Sequence, residues 1–249
     1  MKLNEKTQMW ESAYWHPAVT VDAVVFGYDE AEGELSVLLI ERGEEPFKGK
    51  WALPGGFVTQ EDESVEAAVE RELREETNVT DIYLKEFKTF SKIGRDPRPN
   101  ERVISVAFLA LVDKNNFEVK GGDDARNAQW FLLKDLPELA FDHKDMINGA
   151  FDNLQMTIHY EPLAFHLLNK EAFTMPQLHN IYRTIINPSV VSSNIVNDRR
   201  NFAKKMLSLG YIKETNKVLT GCSNRPPKLY RFDEDEFKMV KDNEMRQTI

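Results

Sequence analysis

Two regimes of apolar and polar spacing divide the chain. In the first, β-branched runs are separated by turn-forming residues. VTVDAVVFGY (19–28) and ELSVLLIER (34–42), parted by DEAEG, predict a β-hairpin. KGKWALPGGFV (48–58) predicts a short strand broken at Pro54-Gly55-Gly56. IYLKEFKTF (82–90) and RVISVAFLALV (102–112) predict strands around the polar loop SKIGRDPRPNE, and AQWFLL (128–133) predicts another. Residues 64–77 carry helical spacing, and DHKDMINGAFDNLQ (142–155) also predicts a helix. Strands enclosing a principal helix define an α/β fold with a mixed sheet. After about residue 158 the pattern changes. TMPQLHNIYRTII (174–186) opens with a Thr cap and a nearby Pro, and DRRNFAKKMLSLG (198–210) ends at Gly210. YIKET and KLYRF flank the turn-rich TGCSNRPP. Helix, helix, hairpin is the order of a winged helix-turn-helix. Residues 1–16 read as a polar arm with scattered aromatics, and no internal repeat is visible.

Composition changes this picture little, but charge changes it more. The 249 residues exceed what one domain usually needs, and 41% hydrophobic with 29% charged residues supports buried cores. No stretch approaches the ~18 apolar residues of a membrane span, and the first residues lack a leader pattern. The single Cys222 cannot form an internal disulfide, so a reducing cytoplasm is the expected home. The net charge of −9 argues against nucleic acid only if it is evenly spread. Residues 159–232 carry 11 Lys and Arg against 4 Asp and Glu, a net +7, which leaves 21 basic against 37 acidic residues, or −16, elsewhere. An acidic part and a basic part in one chain imply different partners for each.

The helix at 64–77 holds the most specific chemistry. At about 100° per residue, Val65, Ala68 and Val69 share one side. Glu72 and Glu76 continue that side, with Glu75 at its edge. A solvated acidic face is the ordinary reading of such a run. It fits poorly where the charges extend an inward stripe, because unpaired burial of each carboxylate costs several kcal/mol. Bound divalent cations, Mg²⁺ or Mn²⁺, supply the compensation that hard oxygen ligands suit.

Residues 55–79, GGFVTQEDESVEAAVERELREETNV, resemble the Nudix box through Glu63, Arg71, Glu72, Leu73, Glu75, Glu76 and Val79. The loop from Gly56 to Glu63 is one residue longer than the family pattern. Asn78 replaces its final Gly, a mild change because Asn tolerates the left-handed helix end. The resemblance implies a Nudix domain over 17–157, hydrolysing a nucleoside diphosphate linked to another group. It implies Glu72, Glu75 and Glu76 as metal ligands, and a brace between Arg71 and Glu63. It also implies a backbone carbonyl of Gly55 or Gly56 as a further ligand. The water-activating base is left open among Glu76, Asp123 and Asp124. TFSKIGRDPRPNERVISVAFLALV and GGDDARNAQWFLLKDLPELAFDHKDMI are similar to the ADP-ribose branch. There Arg95 and Arg98 can fork onto phosphates or stack on adenine, although Arg95-Asp96-Pro97-Arg98 also suits a plain surface turn. His143, within Ala140-Phe141-Asp142-His143, is assigned no chemistry.

The basic unit, over 158–249, points to double-stranded DNA. Arg199, Arg200, Lys204 and Lys205 share one short helix, and the wing carries Arg225 and Lys228 beside Pro226 and Pro227. The order of domains resembles the NrtR-type Nudix-related transcriptional regulators. Its departure is the longer NPSVVSSNIVND connection (187–198). The resemblance implies a homodimer that reads a pseudo-palindromic site and whose DNA binding responds to ligand. Two rivals are a plain ADP-ribose pyrophosphatase with a structural appendage and a sensor without turnover.

Overall fold

The computed structural model describes residues 2–4, 9–11, 14–117, 125–186, 197–219 and 226–247. Asp123, Asp124, Cys222, Arg225 and most of the 187–198 connection lie outside them. Within the expected N-terminal arm, β1 (Lys2–Asn4) pairs antiparallel with β2 (Met9–Glu11). The main sheet is built from β3 (Ala18–Asp29), β4 (Glu34–Arg42), β5 (Trp51–Ala52), β6 (Gly55–Phe57), β7 (Tyr83–Phe90), β8 (Val103–Val112) and β9 (Ala125–Leu132). Its main path runs β5-β4-β3-β8-β7, with β6 on β3 and β9 on β4. β3 is parallel to β8 and antiparallel to β4 and β6, so the sheet is mixed.

Period two explains how one strand serves two cores. Residues 21–28 of β3 are buried on both sides. Val21, Ala23 and Val25 pack with Ala68, Val69 and Leu73 of α1 (Val65–Thr77). Val24 and Phe26 face the opposite way and pack with Met146, Ala150 and Leu154 of α2 (His143–Thr157). The sheet is therefore covered by a helix on each face, and its central strand reads as a continuous apolar run.

The C-terminal part comprises α3 (Met175–Ile185), α4 (Arg199–Ser208), β10 (Ile212–Val218), β11 (Lys228–Phe232) and α5 (Glu234–Gln247). α5 occupies the stretch after the hairpin, for which the sequence predicts only a C-terminal tail of the basic unit. Thr174 and Gln177 form a reciprocal capping box at the start of α3. Phe165, Phe173, Leu178, Phe202 and Phe232 form the winged-helix core, with Phe165 and Phe232 stacked at 4.2 Å. These side chains belong to the same buried cluster as Val24, Phe26 and α2. Polar ties reinforce the seam: Gln155 Nε2 donates to Ile185 O at 2.7 Å, and Thr184 Oγ1 to Gly33 O at 3.0 Å. Among the described residues no helix is long and apolar enough to cross a membrane.

Candidate functional site

α1 is defined locally at both ends. Ser64 Oγ accepts from Ala67 N–H at 3.2 Å, and Asn78 closes the helix in the left-handed conformation at φ 59°. The last turn then grades its acids from inside to outside. Glu76 is 6% exposed, while the side chains of Glu72 and Glu75 are 14% and 36% exposed.

Two glycines make room for them. Gly55 has φ 153°, and a Cβ there would stand 2.2 Å from Val21 O. A Cβ on Gly56 would stand 2.3 Å from Glu72 Oε1. Gly55 N–H donates to Glu76 Oε2 at 2.8 Å. Glu72, Glu76, Gly55, Asp22, Arg42 and Arg98 help line a cavity of about 510 Å³. Burial, reinforced by the nearby charges of Glu72 and Asp22, pushes the Glu76 carboxyl up to about 8. Burial also raises Glu72, against the pull of Arg71.

Arg71 braces the loop, but not through Glu63. Its Nε and Nη2 donate to the two oxygens of Asp62 at 2.8 and 3.0 Å, and Nη2 also donates to Phe57 O at 3.1 Å. Nη1 donates to Glu72 at 2.8 Å and to Glu75 at 3.2 Å. The Arg71 hydrogen bonds hold the Asp62 carboxyl well below the usual range. Glu63 is exposed. Counting back from Arg71 selects Glu63, whereas counting forward from Gly56 selects Asp62. The extra residue therefore lies between Asp62 and Arg71. Thr59 N–H, donating to Asp62 Oδ2 at 2.7 Å, fixes the acid that faces the guanidinium. Asp62→Ala is expected to lower turnover or cation affinity by about 10–100-fold, as losses of supporting contacts typically do. Glu63→Ala should leave both within about twofold. A magnesium titration of the two variants checks this.

The donor set suits a hard divalent cation. It is all oxygen, and the most buried acid is one whose ionisation is opposed until positive charge arrives. Among the described residues no three Asp, Glu, His or Cys side chains already converge as a metal cage, and Arg71 bridges Glu72 and Glu75 instead.

The loop arginines divide. Arg95 lines the cavity, but its guanidinium forks onto Asp142 at 3.1 and 2.8 Å and its side chain is 4% exposed. Arg98 is more open, stacked over Phe57 at 4.7 Å and 3.4 Å from Asp96. Sequence reasoning missed Arg42, the last residue of β4, whose guanidinium lies over Phe141 at 4.9 Å in the same cavity. It also missed Asp22 and left His143 without a role, although both line that wall. A charged residue at a strand end and a buried-pattern Asp inside an apolar strand were the available signals.

On the basic side, Arg199, Arg200, Lys204 and Lys205 are all exposed on α4. Asp198 caps this helix, accepting from Arg200 N–H at 2.8 Å and Asn201 N–H at 2.9 Å. Phe202 anchors the opposite face against His179 and Tyr182. Lys228, at the start of β11, pairs with Glu214 at 2.7 Å across the hairpin.

This geometry is that of a Nudix fold joined to a winged helix, and comparison with known proteins gives the same class. The NUDIX domain family matches residues 16–149, and the NrtR DNA-binding winged helix domain matches residues 164–232. The chain belongs to the Nudix family and carries an NrtR-type winged helix. Over 228 residues it is 32% identical to the ADPR responsive transcriptional repressor NtrR of Acinetobacter baylyi, spanning 90% of this chain and 86% of that protein. It is 45% identical over 134 residues to an ADP-ribose pyrophosphatase of Methanocaldococcus jannaschii, spanning 54% and 73% of the two chains. The crystal structure of Shewanella oneidensis NrtR complexed with a 27mer DNA superposes with a TM-score of 0.70 at 29% identity, covering 88% of this chain and 94% of that one.

Proposed function

We propose that the Nudix part binds and hydrolyses ADP-ribose or a related nucleoside diphosphate sugar with Mg²⁺ or Mn²⁺. The winged helix binds double-stranded DNA, and ligand occupancy alters that binding. Residues 17–157 and 158–249 are the two working units, acting as a homodimer in the cytoplasm. The carrying observation is Glu76, buried beside Glu72 and tied to Gly55 N–H in the wall of a cavity that also holds arginines.

The acids Glu72, Glu75 and Glu76 would hold the cation. When bound, it supplies charge neutralisation for phosphate oxygens and acidifies a water molecule. Gly55 N–H orients Glu76, and Gly56 leaves room for Glu72. Arg71 steers Glu72 and Glu75, with Asp62 holding it in place. Arg98 and Arg42 offer guanidinium planes to the diphosphate or a base, whereas Arg95 serves mainly to hold Asp142. In hydrolysis, water oxygen bonds to one phosphorus, the bridging P–O bond breaks, and the water's proton passes to a base. The candidates for that base are Glu76, Asp123 and Asp124, of which Glu76 lies in the cavity wall.

On DNA, Arg199, Arg200, Lys204 and Lys205 face solvent from a capped helix and suit phosphate and base-edge contacts, and Lys228 at the start of β11, with Arg225 of the sequence before it, would add backbone contacts.

Two measurements test this reading. Glu75→Gln is expected to lower Mg²⁺-dependent ADP-ribose hydrolysis by on the order of 100-fold. Equal rates for the variant and wild type would leave only a sensor. Arg200→Ala with Lys204→Ala is expected to weaken DNA binding in a gel shift and reduce the salt slope by about two. Unchanged affinity at low salt would remove the regulator.

A further inference from the structure

The cavity wall opposite α1 contains a buried polar group that cation binding alone leaves without a task. His143, the first residue of α2, is 3% exposed. Its Nδ1 accepts from Leu53 N–H at 2.8 Å. A backbone amide only donates, so Nδ1 carries the lone pair and the neutral ring has its proton on Nε2. That proton faces Asp22, whose Oδ1 is 3.4 Å from Nε2. Asp22 is itself 7% exposed, and its second oxygen accepts from the buried Ser105 hydroxyl.

These partners sit on two sides of one strip of chain. Asp22 is the β3 residue paired with Gly55, and Ala23 N–H donates to Pro54 O at 2.9 Å. From the far side, Ala140 N–H donates to Trp51 O at 2.8 Å, and His143 reaches Leu53. The imidazole thus lies between the backbone of residues 51–56, which it holds through Leu53, and a carboxylate of the central strand 3.4 Å away. The same strip presents Gly55 N–H to Glu76 and Gly56 to Glu72. A histidine that merely fills the core would need neither contact. An apolar replacement would leave the buried Leu53 N–H without its acceptor and remove the ring nitrogen beside Asp22 Oδ1, with Ser105 still donating to Oδ2.

We propose that His143 is a positioning residue of the hydrolytic site. It fixes the Leu53–Gly56 strip and Asp22, and through them the placement of Glu76 and Glu72 for the cation. The inference rests on the function proposed above. Asp142, its neighbour, holds Arg95 at 2.8 Å, and Arg95 Nη2 lies 3.8 Å from Asp22. The turn that begins α2 therefore anchors a second side of the same acid.

The test compares full-length wild type, His143→Asn and His143→Leu. Asn retains an acceptor near the Nδ1 position, whereas Leu retains none. Three quantities are read: melting temperature without metal, the Mg²⁺ concentration giving half-maximal thermal stabilisation, and kcat with KM for ADP-ribose. The expected result is a 10–100-fold fall in kcat for His143→Leu, with KM within about threefold and a Mg²⁺ midpoint raised about tenfold. His143→Asn should recover part of both losses. If the Leu variant does not fold, the Asn variant alone decides, with a smaller shift of the Mg²⁺ midpoint. Variants that lose melting temperature but keep the wild-type Mg²⁺ midpoint and kcat overturn the inference and make His143 purely structural. If wild type neither hydrolyses ADP-ribose nor responds to Mg²⁺, the proposed function fails and the inference falls with it.

Discussion

Gly55→Ala is expected to lower the melting temperature by about 10 °C. The new Cβ would stand 2.2 Å from Val21 O and 2.9 Å from Asp22 Cα, both backbone atoms of the central strand. Neither can swing away as the end of a flexible side chain can. The backbone at φ 153° adds a conformation that side-chain-bearing residues rarely adopt. Strain of this kind and overpacking each cost about 1–3 kcal/mol, so the sum is on the order of 3–4 kcal/mol. In a chain of this size each kcal/mol shifts the melting temperature by about 2–4 °C. Calorimetry measures the effect. A variant that melts within about 2 °C of wild type would show that the strip moves freely and does not anchor Glu76. Gly56→Ala makes a useful contrast, because its Cβ meets the carboxylate end of Glu72. That clash is relieved by turning Glu72, at the expense of the cation site more than of the fold.

The second large effect is a pH dependence that depends on metal. Glu76 is pushed up to about 8 in the folded protein, first by burial and then by Glu72 and Asp22. In the unfolded chain it returns to about 4.3. Between these values the folded protein holds a proton that the unfolded chain has released, so stability falls as pH rises through this window. The contribution is fully present below pH of about 4.3 and lost above about 8. It amounts to on the order of 3–5 kcal/mol for the metal-free protein. Glu76→Gln keeps an oxygen for Gly55 N–H but cannot ionise. It should flatten the profile and melt higher than wild type at pH 8 in chelator. Adding Mg²⁺ at pH 8 should stabilise wild type and leave the variant nearly unmoved. Thermal melts from pH 5 to 8.5, with chelator and with Mg²⁺, measure both. Parallel profiles for the two proteins would place Glu76 in contact with water.

Residues whose meaning lies in their own segment were legible in the sequence. The spacing of Glu72, Glu75 and Glu76 against Ala68 and Val69 identified α1 and the acids at its end, and Ser64 and Asn78 are local caps. Thr174 with Pro176 close behind it announced α3 in the same way. What stayed hidden depends on register and crossover. Arg42 enters the cavity because β4 pairs with β5 and β9, a relation that no local period encodes. His143 and Asp22 meet because α2 begins where residues 51–53 pass beneath it. Asp62 and Glu63 are adjacent acids, and only the turn held by Thr59 selects between them. β1 and β2 have three residues each, too few to show an alternation. α5 begins with three consecutive acids and carries few apolar residues, so its helical face is faint beside its charge.

The apolar cluster that runs from Val24 and Phe26 through α2 to Phe165, Phe202 and Phe232 has thermodynamic weight beyond packing. Two modules on a loose tether would each keep their own equilibrium between ordered and disordered states. Here the aromatic floor beneath the basic helix is continuous with the α2 side of the Nudix interior, so loosening one half exposes apolar surface of the other. The joint lies on the α2 face of the sheet, across from α1 and its acids, so a change at those acids has the central strand β3 between it and the floor of the basic helix.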